Sequence, residues 1–429
     1  MIRKIFIVLF LLLTLTVLGQ RTTSSPYSYF GVGDEFSGRT VEQNTMGGIG
    51  VAFSHYKYLN FTNPAAYADL RFTTYSLGAL NNDLTLKTGT TSQSSISTNL
   101  SYIALGIPIG SKAGFSFGMQ PLSSVGYSLA NFTADGNNSL IEATIFEGSG
   151  GVNRLFGAFG IKVVKNLSLG VEADFNFGSI ENRIISQRIG ISLATRYDEN
   201  TTIRGGSVKL GAQYQKELKN KLLISAGATF KFSNNLNVRG RDYLYSVAIT
   251  PTGGESPRDT LSTSSIDGKF NLPLKSTFGL GLGKLDKWYV GVEYEKQDAF
   301  STTGLLATTT GSYRYDDSNR ISIGGYYLPK INSISSYWDR ITYRAGVRME
   351  KTGLLADGSG ANTNFTEIND FGISFGLGLP LKRLSTVNLG FEFGKRGTTE
   401  NNLIEENYFN LRLSLSLTDV NWFVKRKID

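Results

Sequence analysis

The stretch Leu167-Ser168-Leu169-Gly170-Val171-Glu172-Ala173-Asp174-Phe175-Asn176-Phe177 alternates apolar and polar residues without a break. A repeat of two puts successive side chains on opposite faces of a strand, whereas a helix needs a repeat near 3.6. The pattern returns at 341–349, 387–393 and 409–417. One face is wholly apolar. The other carries full charges in mid-strand, among them Glu172, Asp174, Arg344, Arg348, Glu392 and Arg412. Strands of soluble sheets run to about five or six residues, while strands that cross a membrane need about nine to eleven. Long strands with one uncharged face and one charged face fit a barrel with lipid outside and a polar lumen inside. A soluble sandwich or propeller uses the same alternation but needs shorter strands.

Along the chain this reading gives about fourteen antiparallel strands, at 73–81, 98–108, 113–122, 149–163, 167–180, 205–217, 222–234, 268–283, 287–298, 319–329, 340–352, 367–380, 385–396 and 405–418. The connections alternate between short, lysine-bearing turns such as 164–166, 218–221, 284–287 and 381–384 and long ones near 82–97, 126–145, 181–205, 234–268, 298–318, 353–367 and 396–405. Short periplasmic turns and long external loops are the habit of outer-membrane barrels, and an even strand count returns both ends of the barrel to one side. The expected fold is therefore all-β, a transmembrane outer-membrane β-barrel spanning 73–418.

Composition narrows the function. The chain has 49 Gly, 27 Phe and 21 Tyr but one His and no Cys. Without cysteine there is no disulfide framework, thiolate metal site or iron–sulfur centre. A net charge of +8 without a long Lys/Arg run gives no stripe for nucleic acid. Arg3-Lys4 followed by the apolar run 5–18 reads as a signal peptide, 1–19, cut between Gly19 and Gln20. The run is too short to span a bilayer comfortably. The end of the chain, 419–429, is expected to be a basic periplasmic tail after the aromatics Trp422-Phe423. No cofactor is expected. Gly114-Phe115-Ser116-Phe117-Gly118 and Gly372-Ile373-Ser374-Phe375-Gly376 match the nucleophile-elbow pattern but lie inside strands, where no helix follows to make the elbow. Gly279–Lys284 lacks the spacing of a phosphate loop. The aspartates near 316–317 and 357 lack calcium-loop spacing. His55 is the one residue to which a barrel enzyme would be tied, and the chain is not expected to be an enzyme.

Residues 20–72 do not alternate as strands do. They contain SYFGVGD (28–34), GGIGVAF (47–53) and NFTNPAAYADL (60–70), with GFSFGMQPLSSVGYSL following at 114–129. On these motifs the chain resembles the FadL / OmpP1 / TodX family of outer-membrane transport proteins, in its Bacteroidetes branch. The resemblance implies that 20–72 fold back into the barrel as a hatch, with Gly48, Gly50, Asn63, Pro64 and Ala65 at the gate. Proline fixes its own φ and drives the preceding residue away from helix, so Asn63-Pro64 is a shaped turn suited to a tight lumen. The lumen-facing charges Glu172, Asp174, Glu293, Glu295, Arg344, Arg348, Glu392 and Arg412 form a polar ladder, either self-neutralising or holding the hatch. The resemblance further implies passive uptake of a hydrophobic small molecule, such as a long-chain fatty acid, with outer-membrane lipid as the other partner. Tyr243, Tyr245, Phe300, Leu305 and Leu306 are the apolar residues of external loops that would make a ligand groove, unless those loops are strands extended above the membrane. The alternative is a plugged-barrel accessory or structural subunit of an outer-membrane protein export or assembly complex, with a protein partner in place of a ligand.

Overall fold

The computed structural model describes residues 23–137, 139–250, 254–303, 313–359, 362–381 and 384–419. The signal segment, the basic tail, Leu305 and Leu306 lie outside the described residues. Fourteen antiparallel strands close into one barrel. They are β1 (Thr73–Lys87), β2 (Ser92–Ile109), β3 (Ala113–Ala134), β4 (Leu140–Val164), β5 (Leu167–Arg188) and β6 (Leu193–Glu217). Then come β7 (Leu223–Lys231, resuming at Asn234–Ile249), β8 (Glu255–Leu272, resuming at Lys275–Lys284), β9 (Trp288–Gln297, with Ser301–Thr302) and β10 (Tyr313–Tyr315 and Ser318–Tyr327). The last four are β11 (Thr342–Ala356), β12 (Thr366–Pro380), β13 (Thr386–Gly397) and β14 (Glu405–Asp419). The ring closes where β14 pairs with β1, from Glu405 opposite Lys87 to Asp419 opposite Thr73.

The alternation sets which way each side chain points. On β5, Leu169, Val171 and Phe175 are exposed on the outside, while Glu172, Asp174 and Asn176 are buried on the inside. A barrel whose lumen held only water would leave those carboxylates wet. They are buried because residues 23–72 run through the interior. These residues contribute a short helix, α1 (Val41–Asn44), and a 3-10 turn, Pro64–Asp69. No helix of the described residues is long and apolar enough to cross a membrane.

The structure corrects the reading of the long external connections. β3 continues to Ala134 and β4 resumes at Leu140. β5 reaches Arg188 and β6 starts at Leu193. The stretch 234–268, expected as a loop, is largely two paired strand extensions joined across Ile249 and Glu255. Antiparallel pairing satisfies every backbone donor and acceptor of a chain that leaves the membrane, so a ladder outlasts the lipid-facing pattern that announces it. The extensions enclose an apolar cluster of Val125, Tyr127, Val152, Ile180, Ile203 and Val238, into which Val32 of the N-terminal segment packs.

Among the described residues the wall pairing is interrupted between β2 and β3. β2 and β3 are hydrogen-bonded only from Ile109–Ala113 to Ile103–Met119. Beyond that, β3 passes a bulge at Pro121/Ser123 and pairs on one side with β4. On its other side Asp34 and Glu35 lie opposite Ser124 and Ser123, and the Phe36 N–H donates to the Leu122 carbonyl at 2.9 Å. The N-terminal segment thus takes the place on β3 that β2 gives up.

Candidate functional site

The interior is built around asparagine and glutamine side chains that satisfy a backbone with little regular structure of its own. Thr40 and Gln43 form a capping box on α1. The Gln43 amide donates to Asn60 Oδ1 at 2.9 Å, and the Asn60 amide donates to the carbonyls of Gly50 and Phe53 at 2.8 and 2.6 Å. Asn63 accepts from the Ala65 N–H at 3.0 Å, capping the 3-10 turn that Pro64 opens. Its amide donates to Val51 of the segment and to the Ala212 carbonyl of β6, at 2.7 and 3.0 Å. Asn63, Pro64 and Ala65 are all buried.

The wall receives the segment through glycines and charges. At Gly170, Gly211, Gly227, Gly324 and Gly346 an added Cβ would overlap the backbone or Asn63 side chain of residues 46–65. These glycines lie on the inner faces of five strands, so the segment touches the wall backbone to backbone. Gly47 and Gly48 have φ of +70° and +85°, which favours glycine. The Gly50 and Val51 N–H groups donate to Glu293 Oε2 on β9 at 2.7 and 2.8 Å. The Gly48 carbonyl accepts from Arg39 Nε at 2.6 Å. Farther round the wall Glu42 accepts from Asn388 of β13 and Ser416 of β14 at 2.8 and 2.9 Å.

The charges group into separate networks. Arg154 of β4 bridges Glu172 and Asp174 at 3.0 and 3.2 Å, and Lys209 and Lys231 complete the pairs at 2.8 and 3.1 Å. Glu293 and Glu295 meet Arg39 and Arg320 at 3.0–3.3 Å. Arg348 joins Glu350, Asp370 and Glu392, and Arg412 reaches Glu392 at 2.6 Å. Arg344 stands apart from the carboxylates. It donates to Asn388 Oδ1 at 3.0 Å and lies over the Tyr58 ring. A further pair ties Asp34 to Arg396 at 2.8 Å. Sequence reading misses Arg39, Arg154, Lys209, Lys231, Arg320 and Asp370. The wall residues among them sit at inward parity on their strands, and that is the signal available.

Above the segment lies a cavity of about 390 Å³. Arg39, Arg154, Arg348, Glu295, Asp370 and Glu406 line it, as do the apolar Tyr27, Phe30, Leu272 and Tyr315. It reaches Leu80 and Ser97 on one side of the wall break and Gln120 and Leu122 on the other. Phe300 stacks on Phe270 at 5.4 Å and lines the same cavity. Tyr245 is part of a strand extension and donates to Asp198, while Tyr243 faces a separate groove with Arg239 and Arg241. His55 packs at the short-turn end of the barrel, its Nε2 3.4 Å from Asp286 of the β8–β9 turn. Tyr56 donates to the same carboxylate at 3.1 Å. Burial pushes the His55 imidazole below its ordinary pKa, against the opposing pull of Asp286. Of the two elbow-like serines, Ser374 accepts from the Gly47 N–H at 3.0 Å, and Ser116 is buried within β3. Among the described residues no cluster of three or more His, Asp or Glu could hold a metal.

Solved structures with the same fold include the Ralstonia pickettii toluene transporter TbuX (14% identity, TM-score 0.58, covering 89% of this chain and 99% of that one). The Pseudomonas putida toluene transporter TodX is similar at 15% identity and TM-score 0.57, covering 90% and 98%. A Pseudomonas aeruginosa FadL homologue matches at 13% and 0.59, covering 90% and 98%. No curated protein matches. The model of the BamG family matches residues 1–429, the whole chain, and this outer-membrane β-barrel is a member of the BamG family.

Proposed function

We propose that the chain is a plugged-barrel subunit of an outer-membrane protein assembly or export complex, in which the barrel serves as an interaction scaffold. The observation that carries this reading is the charge lining of the interior. The cavity of about 390 Å³ offers Tyr27, Phe30, Leu272 and Tyr315 to an apolar guest, but such a guest would also lie against Arg39, Arg154, Arg348, Glu295 and Asp370 and keep water from them. Stripping water from charged groups without new partners is costly. The N-terminal segment is also tied to separate parts of the wall, to β9 through Glu293 and to β13 through Glu42, as suits a fixed plug. Membership of the BamG family supports the same reading. The test is native mass spectrometry of the chain purified from its own membranes in mild detergent. A stoichiometric protein partner without a bound hydrophobe is expected. A monomer carrying a small hydrophobe overturns the proposal.

The break between β2 and β3 favours a second reading, passive uptake of hydrophobic compounds with residues 23–72 as the hatch. The cavity reaches both edges of that break, and the fold is shared with proteins described as toluene transporters. Cross-linking by a photoreactive long-chain fatty acid at Leu122 or Leu80 supports this reading. Labelling confined to the lipid-facing side chains sinks it.

A further inference from the structure

The turns at the periplasmic end of the barrel are short, with one exception. β2–β3, β4–β5, β6–β7 and β8–β9 are joined by a few residues each, whereas β10 ends at Tyr327 and β11 starts at Thr342. A hairpin needs only about two to five residues to turn, so the extra length of 328–341 serves something other than reversal. Hydrogen bonds also brace it. The Lys330 N–H donates to the Asp339 carbonyl at 2.8 Å, and the Ser333 hydroxyl donates to the Asp339 carboxylate at 3.0 Å. A 3-10 turn, Trp338–Arg340, closes it, and the Arg340 guanidinium lies over the Tyr337 ring. Tyr337 donates to the Pro380 carbonyl at 3.3 Å and Tyr343 to the Trp338 carbonyl at 3.2 Å, which anchors the loop to β11 and to the next turn.

This braced loop holds apolar side chains away from the protein. Ile334 is 103% exposed and Trp338 69%, whereas the lipid-facing Phe175 and Leu413 of the barrel wall are 51% and 48% exposed. Ile334 therefore projects beyond the wall surface. Leu381 of the neighbouring turn is exposed as well. The surroundings are basic. Lys287, Lys330 and Arg340 are exposed, and the Asp339 carboxylate is taken by Ser333.

We propose that loop 328–341 is the docking surface for a periplasmic protein partner, with Ile334 and Trp338 entering an apolar pocket rimmed by carboxylates. The proposal rests on the reading of the chain as a subunit of a complex and names where the partner binds. A loop already braced loses little entropy on binding. Trp, Tyr and Arg are the side chains that most often dominate interface energetics. The basic rim selects an acidic partner surface and makes association sensitive to salt. An anionic lipid surface is the competing occupant, since it too would take Trp338, Tyr337 and the basic side chains, and the cross-linking below separates the two.

The test places a photo-crosslinking amino acid at position 334 of the full chain in its native envelope, with position 111 on the β2–β3 turn as the control. A single protein adduct is expected at 334. Its yield should fall about tenfold in the K330E/R340E double variant, in proportion to the lost charge complementarity, and in Trp338→Ala, while both variants keep the heat-resistant mobility of a folded barrel. Lipid adducts alone, adducts to a second copy of this chain, or an adduct indifferent to charge reversal overturn the proposal. If the wild type still purifies with a stoichiometric partner and position 334 gives no adduct, the docking surface is wrong and the subunit reading stands. If the wild type brings no partner at all, both fall.

Discussion

Replacing Gly227 by alanine isolates the contact between the wall and the N-terminal segment. Gly227 lies on β7 opposite Gly279 of β8, in extended backbone that alanine adopts without strain. Its Cβ would lie 2.8 Å from Ala52 N and closer still to the Val51 carbonyl, where ordinary contact begins near 3.4 Å. Residues 51–52 must therefore retreat by more than half an ångström. Overpacking of this kind costs about 1–3 kcal/mol. The retreat also stretches the Val51 N–H bond to Glu293, now 2.8 Å, and a hydrogen bond to a charged group contributes about 1.5–3 kcal/mol. The sum, about 3 kcal/mol or more, raises the undocked population of the segment roughly a hundredfold or more. Hydrogen exchange of the amides of 47–53, followed by mass spectrometry in detergent, reads this directly. Gly157→Ala is the control, since its Cβ would meet only Phe115 at 4.0 Å. If G227A folds and protects 47–53 as the wild type does, the backbone-to-backbone docking described above is wrong.

Other perturbations test the remaining ties. Glu293→Gln weakens the bonds to Gly50 and Val51 and leaves Arg39 and Arg320 with less counter-charge; exchange at 47–53 should rise by a factor equivalent to about 3 kcal/mol, whereas a rise below threefold would assign the anchoring elsewhere. Asn63→Ala removes the cap on Pro64–Asp69 and two carbonyl contacts, costing about 2–3 kcal/mol, read as a lowered thermal midpoint of the segment's protection; an unchanged midpoint refutes the role given to Asn63. Because burial holds the His55 pKa below its ordinary value, the neutral imidazole contributes stability above about pH 6.5, and that stability is lost as pH falls through this range toward the folded-state pKa. Protection of 53–58 should therefore drop between pH 7.5 and 5.5 in the wild type and drop less in His55→Gln; parallel behaviour of the two removes His55 from the account.

Strand number and inward parity are legible because lipid enforces them. On β5 and β14 an uncharged outer face has to alternate with whatever the lumen requires, so the alternation alone puts Glu172, Asp174 and Arg412 on the inside. The partners of those charges are not legible. Arg154 pairs with Glu172 on the neighbouring strand, and Arg39 meets Glu293 over a sequence separation that no local pattern encodes. The external extensions read as loops for a related reason. Once a strand clears the membrane its outer face takes polar residues such as Asn200, Thr202, Asn237 and Arg239 and loses the lipid-facing signal, and Tyr245 in its ladder then looks like a loop aromatic. The inner-face glycines read simply as room for crowded backbone. That is the right physics, but the crowding comes from residues 46–65 and not from the wall itself.

The exchange of partners at β3 bears on the order in which this molecule can be built. Asp34 and Glu35 occupy an edge that no wall strand occupies, while Glu42 holds β13 and β14 beside the β14–β1 seam. A part of the chain made before any wall strand therefore touches the strand made after all the others. A ring that closed first would leave residues 23–72 to thread into a lumen already narrowed by its own charges. A ring that closes around them uses them as a mandrel, with the seam as the final step. Refolding the barrel from 73 onward and supplying residues 23–72 as a separate peptide separates the two orders. If the peptide rescues closure only when present from the start, the segment is the form on which the wall is wound.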